Sequence, residues 1–366
     1  MDVLFAVRND GTDVRVRKEI NTLIKNGKSV TIYLASDNSY NPLGIVDDLL
    51  TVNLFPRILK SLPLWKIFYL AWLHLYIFFD LLRTQPVSIH AIDEEMILIC
   101  CFARLTGVKV VLDLFDSVEL KLSGNHTLKA ILLKYASRMA KNSANVIIVT
   151  DSMRYELLDE RYKLKGVIIP NYPSLNDLPD IKEISAQSSP KKVNGKVKIF
   201  LGGTLYRSRG LNTVMRALDM TPNLILHCAG WIYDNTAKEL IEHPQVIYHG
   251  VVDQKETNKI CSKCLVNLAL YEPSNLNNIY ASPNKVYDSL CIGQYVLLNE
   301  ETELSKWISK SPLVKTMAYD NAAFIANIEG VCQSKISVPR ILRYRSLFVW
   351  EKFESVLLNA HKVRPR

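Results

Sequence analysis

Acidic residues are in short supply in this chain. There are 36 Asp and Glu against 45 Lys and Arg, a formal charge of +9. The imbalance favours anionic partners, whether nucleic acid, phosphorylated small molecules or an acidic membrane surface, without choosing among them. No helix-turn-helix, RNP-like or zinc-finger pattern accompanies the charge, so nucleic acid is not the expected partner. Cysteine offers no disulfide framework. The seven cysteines are an odd number, with Cys100 and Cys101 adjacent, as suits a reducing cytosol. Cys261 and Cys264 form a lone CxxC with no second pair beside it, so two small buried side chains are expected there rather than a zinc site. The first residues, MDVLFAVRND, have no basic stretch followed by a long apolar run, and no export signal is expected.

What is present is ordinary globular composition. The 366 residues are 48% apolar and 22% charged, which excludes a disordered or fibrous chain. The length suits about two domains. Short apolar, β-branched runs alternate with helical patterns. The expected strands are Asp2–Val7, Ser29–Ala35, Val87–Ile92, Val108–Leu114, Asn145–Thr150 and Val167–Pro170. They are near-continuous apolar runs, as parallel strands buried on both faces require. Helices are expected at Val14–Lys25, Glu94–Leu105 and Leu128–Ala140, with Gly27 and Gly107 as C-terminal stops. A polar stretch, Ser174–Lys196, reads as a linker. A second series follows: Val197–Gly203, Leu224–Gly230, Val246–Gly250, Leu265–Tyr271 and Tyr295–Asn299. The expected class is therefore α/β, with two doubly wound Rossmann-like domains facing across a cleft. Their bounds are 1–175 and 197–338, with a linker at 176–196. Pro339–Lys362 reads as one long amphipathic helix opened by its proline, and the segment 339–366 is expected to pack back on the N-terminal domain.

One segment, residues 62–83, is apolar and long enough to span a bilayer. Lys66, His74 and Asp80 inside it, and Pro63 near its start, argue against a span. Two readings remain for it: a helix lying in the membrane interface, or a buried core helix. Basic charge is also concentrated elsewhere. Lys121–Lys141 holds five Lys and Arg and no acid, and Pro339–Arg366 holds seven against two Glu.

Two motifs carry chemistry. In the first, the strand ending at Gly202-Gly203 runs through Thr204 and Arg207 to Arg209-Gly210 at a helix start. Glycines let backbone N–H groups approach an anion, Arg209 and Arg207 add charge-assisted bonds, and the helix N-terminus adds partial positive charge. In the second, Ser282-Pro283-Asn284-Lys285 opens a helix. Lys285 in a first turn opposes the helix dipole unless it serves an anion. Asp288, three residues on and so on the same face, can accept two hydroxyl hydrogens from a ribose.

These segments, taken in order, resemble a GT-B-fold glycosyltransferase of the family 4 type. Asp13-VRVRKE with Leu23-IKNGKSVTIY is similar to the family's opening. Ile89-HAIDEE is similar to its "HAHD" loop, Val167-IIPNYP to its "IPN" signature, Gly203–Gly210 to its phosphate loop, and Ser282–Gly293 to its nucleotide element. There are departures. Thr204 stands where the family usually has Arg, so Arg209 or Arg207 must carry more of the diphosphate. Asp288 replaces a Glu, Ile92 replaces the second His of "HAH", and Tyr280 replaces an earlier acid that in the family touches the donor sugar.

The resemblance implies transfer of a sugar from a nucleoside-diphosphate donor, held by the C-terminal domain, to an acceptor held by the N-terminal one. It implies no resident cofactor or metal, and the sequence has no clear Asp-x-Asp pair. A UDP-sugar is the first donor expected and a GDP-sugar the second. The implied sites are Gly203, Thr204, Arg207, Arg209, Ser282, Pro283, Asn284, Lys285 and Asp288 for the donor. Catalysis is expected of His90, Asp93, Arg209 and Lys285. His90 is expected at a strand end on the cleft, Asp93 as a base if the reaction inverts, with Glu94 and Asp116 as further N-domain candidates. The basic charge and helix 62–83 suggest a peripheral enzyme on the inner face of the cytoplasmic membrane, using a lipid-linked saccharide acceptor in cell-surface polysaccharide (O-antigen or capsule) synthesis. The competing readings are a catalytically degenerate subunit and a nucleotide-sugar epimerase.

Overall fold

The computed structural model describes residues 1–7, 13–36, 43–56, 65–186, 192–193, 195–332 and 337–362. The chain forms two compact units, Met1–Pro170 with Lys352–Arg366, and Asn171–Glu351.

The first unit is a parallel sheet in the order β3-β2-β1-β4-β5-β6-β7. Its strands are β1 (Val3–Ala6), β2 (Val30–Ser36), β3 (Leu50–Pro56), β4 (Ser88–Ile92), β5 (Lys109–Leu114), β6 (Val146–Val149) and β7 (Gly166–Ile168). Each strand alternates between two cores. Leu4, Ala6, Ile89, Ala91, Val110 and Leu112 point to one side, where helices Trp65–Thr84, Ile97–Leu105 and Leu128–Ser143 pack. Val3, Phe5, Ile32 and Leu34 point to the other, against Val16, Ile20 and Leu23 of helix Val14–Lys25. Both faces are buried, which is why the strands read as continuous apolar runs.

The second unit has six parallel strands in the order β11-β10-β9-β12-β13-β14, with a short antiparallel β8 (Lys192–Val193) at the start of β9. The strands are β9 (Lys196–Gly202), β10 (Leu224–Ala229), β11 (Val246–Tyr248), β12 (Val266–Ala269), β13 (Tyr295–Asn299) and β14 (Val314–Met317). Cys261 and Cys264 are buried, and both contribute to an apolar cluster with Leu178, Phe200 and Ile292.

Several expectations need correction. The unit boundary falls at Pro170–Asn171, before residue 175, because Leu175–Asp177 and Ile181–Ala186 form helical turns that belong to the second unit. Part of the expected linker, residues 187–191 and 194, lies outside the described residues, as do Pro63 and residues 363–366. The long C-terminal helix is in fact two, Val338–Leu347 and Glu354–His361, joined through a turn at Trp350–Lys352. The first belongs to the second unit. Only the last segment returns, placing Leu358 against the core of the first unit. Helix Trp65–Thr84 buries Tyr69, Leu73, Ile77 and Leu81 at four-residue spacing. No helix among the described residues is long and apolar enough to cross a membrane.

Candidate active site

In the second unit the first βα turn forms a cradle. β9 ends at Gly202, and the chain passes Gly203 and Thr204, both exposed, into a 3-10 turn at Arg207–Arg209. Helix Leu211–Met220 then begins behind Gly210. Gly210 has φ +75°, and a Cβ there would lie 2.7 Å from Leu270, so both conformation and space demand glycine. Its N–H donates to Tyr319 Oη at 3.0 Å. Gly230, after β10, has φ +135°, and a Cβ there would strike Gly203 O at 1.8 Å. The loop therefore rests on bare backbone. Arg207 is exposed and its N–H donates to Asp234 at 2.7 Å.

Arg209 is sandwiched over aromatic rings, 4.0 Å from the Tyr271 centroid and 5.1 Å from that of Tyr206. Its Nη1 is buried without a hydrogen-bond partner. Helix Asn284–Cys291 opens at Pro283, and no side chain caps its first turn. From that turn Lys285 reaches back to donate to Gly202 O at 2.6 Å, which joins the two sequence motifs. Burial, and then the charge of Arg209, pushes the Lys285 ammonium down to about 7. Ser282 is buried, and its Oγ has no partner. Two cations and a hydroxyl thus gather at a helix start that no side chain caps, the chemistry that suits an anion. Asp288 is buried on the same helix and accepts from Gln254 at 2.9 Å. Tyr280 lies just past the short helix Leu276–Ile279.

In the first unit, Asp93 follows β4 directly. Its φ of +63° with ψ 162° is a region that side chains rarely occupy. Three bonds hold it there. Its N–H donates to Asp113 O at 2.9 Å, and its Oδ1 accepts the amides of Phe115 and Asp116 at 2.9 and 3.0 Å. Burial outweighs those amides and pushes its carboxyl up to about 8. A strained backbone and a raised carboxyl thus coincide at the carboxyl end of β4, which keeps Asp93 a candidate.

His90 does not end its strand. It sits in the middle of β4, wholly buried, stacked on Phe5 at 4.5 Å. The strand's alternation turns it into the core on the side of Phe5. There it joins a charged cluster that sequence reasoning missed. Arg15 Nε lies 2.9 Å from Asp113 and 3.1 Å from Glu19. His90 Nε2 lies 3.4 Å from Glu19, and His90 Nδ1 lies 3.1 Å from His361 Nε2. His361 Nδ1 meets Ser88 Oγ at 2.7 Å. Burial opposes ionisation of Asp113, but Arg15 overrides it and holds the carboxyl well below the usual range. Burial, with Asp113 beside it, raises Glu19. Burial lowers both His90 and His361, with neighbouring His90 lowering His361 further.

Glu94 is structural as well. It is buried, accepts from Val118 N–H at 2.7 Å and Ser137 Oγ at 2.8 Å, and pairs with Lys141 at 3.1 Å. Asp116 is half-exposed, pairs with Lys121 at 3.1 Å, and leaves the cap of the next helix to Ser117. Tyr271, Tyr319 and Gln254 were also not foreseen, since an isolated aromatic or amide carries no spacing signal.

No protein-family model matches the chain, and no curated protein does. Solved structures do. HepE of Anabaena, in complex with UDP and glucose, superposes with a TM-score of 0.73 at 13% identity, covering 98% of both chains. Sucrose-phosphate synthase from Thermosynechococcus elongatus gives 0.68 at 14% identity, over 98% of this chain and 97% of that one. A glycosyltransferase from Rickettsia africae gives 0.65 at 14%, over 99% and 97%. At such identities the likeness shows the fold, which is of the GT-B class: two Rossmann-like α/β domains, as expected from the sequence.

Proposed function

We propose that this chain is a glycosyltransferase that moves a sugar from a nucleoside-diphosphate donor, a UDP-sugar before a GDP-sugar, to a saccharide acceptor. The observation that carries the reading is the pair Arg209 and Lys285, with a partnerless buried guanidinium nitrogen and an ammonium held near pKa 7. Uncompensated buried charge is costly, and a diphosphate would relieve it. Ser282, Asn284 and the uncapped helix start behind Pro283 would take further phosphate oxygens. The loop amides from Gly203 and Thr204 would do the same, with Arg207 at the rim. Asp288 would take the ribose hydroxyls in exchange for Gln254. As the sugar bond breaks, charge grows on the leaving diphosphate, and Arg209 and protonated Lys285 stabilise it. No metal is assigned a part, and we read the reaction as retaining. Asp93, with its carboxyl near pKa 8, is assigned to the acceptor hydroxyl. The acceptor is proposed to be lipid-linked, in cell-surface polysaccharide synthesis at the inner face of the cytoplasmic membrane.

A thermal-shift series with UDP, GDP, dTDP, CDP and ADP tests the donor site. One diphosphate in large excess over its Kd should stabilise by roughly 2.7 kcal/mol. No shift with any of them refutes the donor reading. Tyr280, in place of the acid that the family resemblance requires, favours a second reading: a degenerate subunit that turns over no donor. Transfer or hydrolysis of any nucleotide sugar by the purified chain excludes it.

A further inference from the structure

Helix Leu128–Ser143 is built inside out. The side chains it buries include Ala130, Ser137 and Ala140. Its large apolar residues face solvent, with Leu128 73%, Leu132 59% and Tyr135 63% exposed. The helices beside it bury one apolar face, with Leu73, Ile77 and Ile99, and still leave large apolar residues outside: Phe79 is 62%, Leu98 65% and Leu105 83% exposed. These belong to one layer. Phe78 of helix Trp65–Thr84 packs on Phe102 of helix Ile97–Leu105 at 4.0 Å between ring centroids, and Cys101 of the latter meets Ser143 at 3.3 Å. An amphipathic helix in water turns its large apolar side chains inward. A contiguous layer that turns them outward marks a docking surface.

We infer that this layer is the face by which the protein lies on an anionic lipid bilayer. Charge selects the occupant. Helix Leu128–Ser143 has no acid and keeps Lys129 and Arg138 exposed and Lys134 partly so, while its Lys141 is buried against Glu94 and Glu119. Arg138 also meets Glu119 at 3.2 Å, and Arg104 is exposed on the neighbouring helix. The acid of helix Trp65–Thr84, Asp80, is engaged by the Tyr33 hydroxyl. A second copy of the chain would set this basic face against a like one. An anionic leaflet attracts it, while the apolar residues and Tyr135 enter the headgroup region. The inference rests on the lipid-linked acceptor reading for its purpose and on this surface for its geometry.

Co-sedimentation of the full chain with phosphatidylcholine vesicles, with and without equimolar phosphatidylglycerol, tests it. The chain should pellet with the anionic vesicles and stay largely in solution with the neutral ones. Leu132→Glu with Tyr135→Glu should abolish pelleting, and Lys129→Gln with Lys134→Gln should weaken it roughly thirtyfold. All four positions are on the surface layer, so Tm and any UDP-induced shift should match the parent. That keeps this test separate from the donor site. Equal pelleting of parent and variants overturns the inference, as does no pelleting of the parent. So does a dimer in sedimentation velocity that Leu132→Glu with Tyr135→Glu dissociates, since the occupant is then a second copy.

Discussion

Lys285→Met should trade binding for stability, with a pH signature that can be worked out beforehand. The folded state holds the Lys285 ammonium down from its ordinary 10.5 to about 7. The unfolded state keeps the proton to far higher pH. Between about pH 7 and 10 the unfolded chain therefore binds more protons at this site, and stability rises with pH. Below pH 7 both states hold the proton, and the full cost of charging a buried amine applies. From pH 6 to pH 9 this one group should add roughly 2.5 kcal/mol of stability. In the Lys285→Met variant that contribution vanishes. The gap in Tm between the variant and its parent should narrow from pH 6 to pH 9 by roughly 5–10 °C, at ~2–4 °C per kcal/mol. Calorimetric scans of both proteins across that range read it, and the comparison cancels the other titrating groups. Adding a diphosphate should restore the proton. UDP binding at pH 8 should take up nearly one proton in the parent and none in the variant, measured by titration calorimetry in buffers of different ionisation enthalpy. A Tm gap that does not change with pH, or binding at pH 8 with no proton uptake, would refute the reasoning.

Other outcomes follow from the same site and from the buried cluster. Arg209→Ala should weaken UDP binding roughly ten- to a hundredfold, as loss of a charge-assisted bond implies, and UMP binding less; equal losses would remove Arg209 from the distal phosphate. Asp288→Ala should weaken uridine and UDP alike by about tenfold or more, and unchanged affinity would end the ribose role. Asp113→Asn leaves Arg15 short of a buried partner and should cost ~3–5 kcal/mol in urea unfolding; a cost below about 1 kcal/mol would show that Glu19 alone suffices. His90 and His361 are held neutral by burial, so the unfolded state binds more protons below about pH 6.5. The first unit should lose stability as pH falls through that value, and His361→Gln should flatten the slope in calorimetric scans.

The sequence was most legible where physics leaves a strong period. Buried parallel strands declare themselves as apolar runs, and β13 at Tyr295–Asn299 matches its expected span. β3 and β14 were not foreseen. Both are edge strands, at Leu50–Pro56 and Val314–Met317, and an edge needs no continuous apolar run. The single C-terminal helix was misread because no Gly or Pro marks its break. Phe348, Val349 and Trp350 keep the apolar pattern going while the chain changes the core it serves. Of the candidate site, each motif was legible because it is local to one helix start, but only the fold brings them together, through Lys285 and Gly202 O. His90 was misjudged because strand register, which the sequence does not print, decides which way a mid-strand side chain turns.

The return of Glu354–His361 to the first unit has a consequence for how the molecule is made. Residues 1–170 are made before the second unit, and they contain the whole of their sheet, yet the helix Glu354–His361 that packs on the first unit follows only after the second. Until then Ser88 and His90 wait without the imidazole they hold in the finished fold, and the core contact of Leu358 is unfilled. The first half to be synthesised is thus the last to be completed. A chain cut short after the second unit would leave Ser88 and His90 without His361 and the core of the first unit without Leu358, a gap expected to open that unit to proteolysis.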